Sequence, residues 1–170
     1  EEIVSYLIKQ GADISITHDF KNLDDLPGNP FNSKRSGDRP VLTFFRGADA
    51  LMTAVEEEHP ECVEALLKAG ADPNGASAKT RFTDIGDNRS WHELYSISLS
   101  EARSTYEPDY DVQGWTPLME AVESNEERIV HLLLKAGAKV EAATNTGITA
   151  LTLARELGYT RLARILKDAR

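Results

Sequence analysis

The chain is predicted to fold as an all-α solenoid: stacked helix-turn-helix units, about 3.5 repeats of them, with two long inter-repeat insertions. Three observations predict this. The segment ALLKAGAD at 65–72 recurs as LLLKAGAK at 132–139, and ALMTAV at 50–55 recurs as PLMEAV at 117–122, both at a spacing of 67 residues. A further copy, ALTLAR at 150–155, puts Leu151 33 residues after Leu118. Another, EIVSYLIKQGAD at 2–13, puts Gly11 59 residues before Gly70. A basic unit of 33 residues accounts for all these spacings if insertions of about 34 and about 26 residues fall between units, and a fixed period of this size is the signature of a repeat architecture.

The unit has a local logic, clearest at 114–138. Thr116 is an N-cap residue and Pro117 stands at the first helical position, where its missing N–H costs nothing. Leu118, Ala121 and Val122 follow at i, i+3 and i+4 and form one apolar stripe. Ser124 and Asn125 end that helix. Ile129, Val130, Leu133 and Leu134 line the apolar face of a second, and Gly137 closes it as a C-cap glycine. Neither helix can bury its stripe alone, so neighbouring units must stack.

These residues resemble the ankyrin repeat family, whose pattern runs roughly G-x-T-P-L-H-x-A and then G-x-x-x-x-V-x-x-L-L-x-x-G-A-D. Gly114, Thr116, Pro117, Leu118, Ala121, Val130, Leu133, Leu134, Gly137 and Ala138 match in one unit. Leu51, Ala54, Val63, Leu66, Leu67, Gly70, Ala71 and Asp72 match in the unit before it. In the last unit the matches are Gly147, Thr149, Leu151, Ala154, Gly158 and Leu166. Met52, Met119 and Thr152 depart from the pattern where the family has a histidine between neighbouring loops. Asp49 and Ala50 stand where the family has Thr-Pro, so the first helix of that unit is expected to be less well capped.

The organisation read from these units is a single domain over 1–170. A partial repeat at 1–16 is followed by an insertion at 17–44, a repeat at 45–75, an insertion at 76–109, a repeat at 110–142 and a C-terminal capping repeat at 143–170. The first unit enters inside its second helix, which leaves Ile3, Val4, Leu7 and Ile8 as an exposed apolar patch. The start reads as truncated, which suggests a removed segment or a fragment of something longer. The last helix, Thr160 to Arg170, carries Arg161, Arg164, Lys167 and Arg170 and suits the polar outer face of a capping repeat.

Both insertions lie where the family's projecting hairpins lie. The first contains DDLPGNPFNSKRSGDRP, a loop by its turn residues, then the apolar run Val41 to Phe45, expected to pack onto the stack. In the second, Ser90 is placed to cap a short helix from Trp91 to Ser96, with Glu93 completing a capping box, and another short helix is placed near Ser100–Ser104. Phe82, Trp91, Leu94, Tyr95, Ile97 and Leu99 give it enough apolar content to order itself.

Composition limits the function. A formal net charge of -9 argues against nucleic acid and against anionic membrane, and it favours a protein partner with a basic surface. No apolar run reaches the roughly 20 residues of a spanning helix, and no signal peptide opens the chain, so an intracellular, cytoplasmic monomer is expected. Its one cysteine, Cys62, aligns with Ile129 and reads as a small buried hydrophobe.

Chemistry is sparse. There is no H-x-x-x-H, C-x-x-C, G-x-S-x-G or phosphate-binding glycine loop. His59 aligns with a structural position between two helices and His131 with the outer face of one. His92, beside Trp91 and Glu93, has no partner at metal-ligand or acid–base spacing, and Glu56, Glu57 and Glu58 read as solvated surface. No enzyme activity, no cofactor and no metal is expected.

The resemblance implies a partner on the concave face, made by the projecting loops and the exposed side of each first helix. By position that face comprises Phe45, Arg46, Glu56 and Glu57, then Val112, Gln113, Trp115, Glu123 and Ser124, then Asn145, Thr146, Ile148 and Glu156. Trp115 has two readings: an exposed binding hot spot, or a side chain packed under the second insertion. The function that follows is a non-catalytic protein–protein interaction scaffold, one version being an acidic inhibitor or immunity-type binder of a basic protein. The alternative is a module of a larger multidomain enzyme or membrane protein with its activity elsewhere.

Overall fold

The computed structural model describes residues 2–24, 41–82, 97–106, 108 and 110–169. They comprise eight helices and four strands: α1 (Glu2–Lys9), β1 (His18–Asp24), β2 (Val41–Ala48), α2 (Ala50–Glu56), α3 (Pro60–Lys68), β3 (Ser77–Phe82), α4 (Leu99–Thr105), β4 (Tyr110–Trp115), α5 (Pro117–Glu123), α6 (Glu127–Lys135), α7 (Ala150–Glu156) and α8 (Thr160–Asp168). The chain forms two compact units. One holds 1–18, 47–78 and 112–170, and the other holds 19–46 and 79–111.

In the first unit α2 pairs with α3, α5 with α6 and α7 with α8. Helices α2, α5 and α7 pack in one row, while α1, α3 and α6 pack in a second. These are called the inner and outer helices below. Each inner helix is started by a side-chain cap. Asp49 accepts from the Met52 N–H at 2.8 Å, Thr116 from the Met119 N–H at 3.3 Å and Thr149 from the Thr152 N–H at 3.1 Å. Thr152 answers by accepting from the Thr149 N–H at 2.8 Å, a complete capping box. Asp49 corrects the expectation of a weaker cap, since a carboxylate serves as well as threonine there.

The outer helices close on a repeated C-terminal turn. The Gly137 N–H donates to the Leu134 carbonyl and the Ala138 N–H to the Leu133 carbonyl. Gly70–Ala71 and Gly11–Ala12 make the same pair of bonds to their own helices. This is the Schellman arrangement, which needs a left-handed residue, and Gly137 has φ 92°. The inner helices end on the same motif. There the left-handed position is held by Glu58 (φ 55°) and Asn125 (φ 57°) as well as by Gly158.

Apolar stripes spaced for helices meet between the two rows. Leu51, Val55, Val63, Leu66, Leu118, Val122, Ile129, Val130, Leu133, Leu151, Ala154, Leu162 and Leu166 are all buried there. On α8, Arg161, Arg164 and Lys167 are exposed while Leu162 and Leu166 are buried, a polar outer face as expected. Cys62 is only half-buried, whereas its equivalent Ile129 is fully buried, so the reading of Cys62 as a core residue is corrected.

The all-α expectation is corrected by a four-stranded sheet of order β1-β2-β3-β4. The insertions thus contribute strands as well as loops. Val41 to Phe45 is rich in β-branched and aromatic residues, and its period of two sends Leu42 and Phe44 to one side of the strand. Those two do not join the repeat core. They form a separate core within the second unit with Phe82, Ile97 and Ala102, flanked by Leu99 and Tyr106. Phe44 meets Phe82 edge to face at 6.1 Å between centroids, and Phe82 meets Tyr106 at 6.4 Å. Helix α4 is capped by Ser98, which accepts from the Glu101 N–H at 3.1 Å. The loop of the first insertion and the helix from Trp91 to Ser96 lie outside the described residues.

Candidate functional site

The surface anticipated for a partner divides on burial. Phe45, Val112 and Trp115 are each only 1% exposed, so none offers contact area to a partner. This corrects their assignment to the binding surface. For Trp115 the cause is specific. Its indole Nε1 donates to Glu120 Oε2 at 2.7 Å, and its carbonyl lies 3.5 Å from the Ser77 hydroxyl. Glu120 lies one turn into α5 and is itself only 5% exposed. The alternation of polar and apolar residues along β4 cannot reveal such a partner, because it comes from the following helix.

The other ten residues remain accessible. Arg46, Glu57, Gln113, Asn145, Thr146 and Glu156 are exposed, while Glu56, Glu123, Ser124 and Ile148 are partly so. Arg46 belongs to the second unit. Glu56, Glu57, Glu123, Ser124 and Glu156 stand at the C-terminal ends of the inner helices, and the packing of α2 on α5 and of α5 on α7 brings those ends into a row.

The charge pattern at those ends is unusual for helices. A helix C-terminus carries partial negative charge and favours cations. The outer helices comply, with Lys68, Lys135 and Lys167 in their last turns. Helices α2 and α5 have no basic residue in the last turn and end in glutamates instead. Each such carboxylate opposes the helix dipole by roughly 0.3–1 kcal/mol at low ionic strength. Helix α7 differs, with Arg155 beside Glu156 in its last turn, so the helix dipole argues against the glutamates of α2 and α5 only.

Gln113 lies in β4, and Asn145 and Thr146 form a turn before α7. Asn145 Oδ1 accepts from the Gln113 N–H at 2.9 Å, and the Asn145 N–H donates to the Gln113 carbonyl at 3.0 Å. Asn74 does the equivalent work one repeat earlier. Its Oδ1 accepts from the Lys139 N–H at 2.8 Å and its Nδ2 donates to the Gly137 carbonyl at 3.3 Å. Sequence reading passed over Asn74. The signal was available in its place just after the Gly70–Ala71 turn, where an amide side chain can satisfy backbone groups of the neighbouring unit.

On the outer helices, ion pairs link consecutive repeats of the first unit. Arg128 pairs with Glu61 at 2.5 Å and Arg161 with Glu127 at 2.8 Å. The bond from Arg128 holds the Glu61 carboxyl below its usual range, and Lys68 does the same for Glu64. His131 is exposed, 3.7 Å from Glu127, as its outer-face position suggested. His59 precedes α3 without a side-chain cap bond. In the second unit, Lys21 Nζ donates to the Ile97 carbonyl at 2.9 Å and lies 5.8 Å from the Phe44 ring centroid, and burial lowers its pKa. Arg103 pairs with Asp111, whose Oδ1 also accepts from the Thr80 hydroxyl at 2.8 Å.

Among the described residues no group of three or more His, Cys, Asp or Glu side chains is placed to hold a metal ion, and no helix is long and apolar enough to cross a membrane. His92 and Glu93 lie outside the described residues.

Comparison with known proteins agrees with the repeat geometry. Residues 46–78 match the profile described as ankyrin repeat, and residues 93–170 match that described as ankyrin repeats (3 copies), together about two thirds of the chain. The chain is 29% identical to human ankyrin repeat and SOCS box protein 3, over 75% of this chain and 24% of that protein. It is 31% identical to the glycerophosphocholine phosphodiesterase gde1 of Schizosaccharomyces pombe, over 69% of this chain and 8% of the enzyme. It is 27% identical to the putative ankyrin repeat protein YahD of Escherichia coli, over 71% of this chain and 79% of that protein. The chain thus spans a quarter or less of the first two. A solved ankyrin repeat domain from Acinetobacter baumannii is 31% identical, with a TM-score of 0.47, covering 72% of this chain and 48% of that one.

Proposed function

The chain belongs to the ankyrin repeat family, whose repeats generally mediate protein–protein interaction, and on that premise we propose that it is a non-catalytic scaffold that binds a protein partner with a basic surface. The observation that carries this reading is the row of glutamates ending the inner helices: Glu56, Glu57 and Glu123 close α2 and α5, which have no basic residue in the last turn, and Glu156 is exposed beside Arg155 at the end of α7. The binding surface we propose comprises these carboxylates with Ser124, Gln113, Asn145, Thr146 and Ile148. In the second unit, Arg46 is a separate candidate contact.

A net charge of -9 would draw a basic partner in and speed association, and a preformed repeat stack loses little conformational entropy on binding. An inhibitor of a basic protein is one form this function takes. We place the chain in the cytoplasm as a monomer, with repeats at 1–16, 45–75, 110–142 and 143–170. A second reading, a module of a larger protein, is favoured by the small share of two relatives that it matches.

The test is capture of a partner from lysate with the chain and with a Glu57→Lys, Glu156→Lys variant, followed by titration of the purified pair. Both glutamates are exposed, so the fold tolerates the change. The expected result is a partner whose affinity falls at least about tenfold in the variant and falls as salt rises. A partner bound equally by both chains would place the contact elsewhere and overturn the acidic-surface reading.

A further inference from the structure

The chain holds one Asn-Gly pair, Asn74–Gly75, in the turn that follows α3. An asparagine followed by glycine is chemically labile, because no side chain shields the next backbone nitrogen from the asparagine amide. The fold requires that glycine. A Cβ at Gly75 would stand 3.1 Å from Asp49 Oδ2 and 3.5 Å from the Asp72 carbonyl oxygen. The Asp49 carboxylate is committed to capping α2.

The folded chain engages every polar group that would react. Asn74 Oδ1 accepts from the Lys139 N–H at 2.8 Å, and Nδ2 donates to the Gly137 carbonyl at 3.3 Å, both in the next repeat. The Gly75 N–H donates to the Asp72 carbonyl at 3.2 Å, and the Asn74 N–H donates to Asp72 Oδ1 at 2.9 Å. The Asn74 amide is thus pinned at both ends, and its nitrogen is the leaving group. Reaction needs the contact with the next repeat to open.

We propose that Asn74 is a self-modification site gated by the contact between two repeats. When the contact opens, the Gly75 nitrogen attacks Asn74 Cγ. The bond from Cγ to Nδ2 breaks, ammonia leaves with the proton that the Gly75 nitrogen gives up, and a succinimide ring joins the two residues. Water then adds to either ring carbonyl and leaves aspartate or isoaspartate. The product cannot restore the contact. A carboxylate has no N–H for the Gly137 carbonyl and sets a charged oxygen against it instead. The change is therefore one-way, and it weakens the junction between the repeats of α3 and α6. This site is distinct from the row of glutamates, and either proposal can fail alone.

The chain is aged at neutral pH and conversion of Asn74 is read by peptide mapping. A peptide copying residues 70–79 sets the ungated rate. The folded chain is expected to convert at least about tenfold more slowly than the peptide, because a reaction through local opening scales with the open fraction. Gly137 has φ 92°, so Gly137→Ala strains the backbone that carries the accepting carbonyl, and it is expected to speed conversion about fivefold. Urea below the unfolding transition opens the contact without a substitution and is expected to speed conversion as well. Asn145, whose Oδ1 is bonded to the Gln113 N–H but which precedes Thr146, is expected to stay intact. In Asn74→Asp, the Lys139 amide is expected to exchange about tenfold faster. Equal rates in chain and peptide, a rate that neither Gly137→Ala nor urea raises, or equal conversion at Asn145 overturns the gated site. Unchanged Lys139 exchange in Asn74→Asp overturns its one-way effect.

Discussion

The indole N–H of Trp115 and the carboxylate of Glu120 lie 2.7 Å apart in a buried pair that links the end of β4 to the first turns of α5. A buried indole that loses its acceptor keeps its desolvation cost without the bond. Glu120→Ala is therefore expected to destabilise the chain by about 1–3 kcal/mol in urea unfolding. Glu120→Gln keeps an acceptor oxygen and is expected to cost less. Equal losses in the two variants would mean that the bond contributes little.

Glu58 occupies a left-handed turn between α2 and α3 that Gly158 occupies between α7 and α8. A side chain at positive φ costs roughly 1–2 kcal/mol that glycine does not incur. Glu58→Gly is expected to raise the thermal midpoint, with a net gain of about 0.5–1 kcal/mol once glycine's unfolded-state entropy is counted. An unchanged or lower midpoint contradicts the strain argument.

The Glu61–Arg128 contact makes a prediction in pH. Glu61 is held below its ordinary pKa chiefly by the bond from Arg128, so this contribution to stability is present above the unfolded-state pKa of Glu61. It is lost as pH falls through the lower, folded-state pKa. In Arg128→Ala the carboxyl shift of Glu61, followed by NMR, is expected to titrate at higher pH, back toward an ordinary glutamate. A titration curve that does not move removes the ion pair as the cause.

Phe82 touches two aromatic neighbours in the core of the second unit, Phe44 and Tyr106. Phe82→Ala is expected to destabilise that unit by about 3–5 kcal/mol, as large truncations in a packed core do. Hydrogen exchange should speed most in 42–44 and 99–105 and least in α8, because repeat stacks pass destabilisation mainly to near neighbours. Uniform acceleration along the chain would show that the two units unfold as one.

What was legible in the sequence is what local chemistry controls. A 33-residue period, Thr116 before Pro117, and Gly137 after an apolar helix declare caps, stripes and stops within a few residues of each other, and the helices start and stop there. Asp49 was legible too, since its carboxylate caps as threonine does, but comparison with the family pattern hid it. Trp115, Val112 and Phe45 could not be placed that way: each sits at a position where exposure depends on what the rest of the chain lays over it. The sheet was hidden for a related reason. Strands β1 and β3 lie in the two insertions, β2 runs from the first insertion into a repeat and β4 opens the next repeat, so the pairing of β2 with β3 and of β3 with β4 joins segments far apart in sequence and no short window contains it. Sequence by itself determined the repeat, its period and its helix boundaries, because those interactions span a single turn. Only the tertiary structure decided that the insertions share a core around Phe82 and that Trp115 turns inward to Glu120, because burial and strand pairing are properties of distant neighbours.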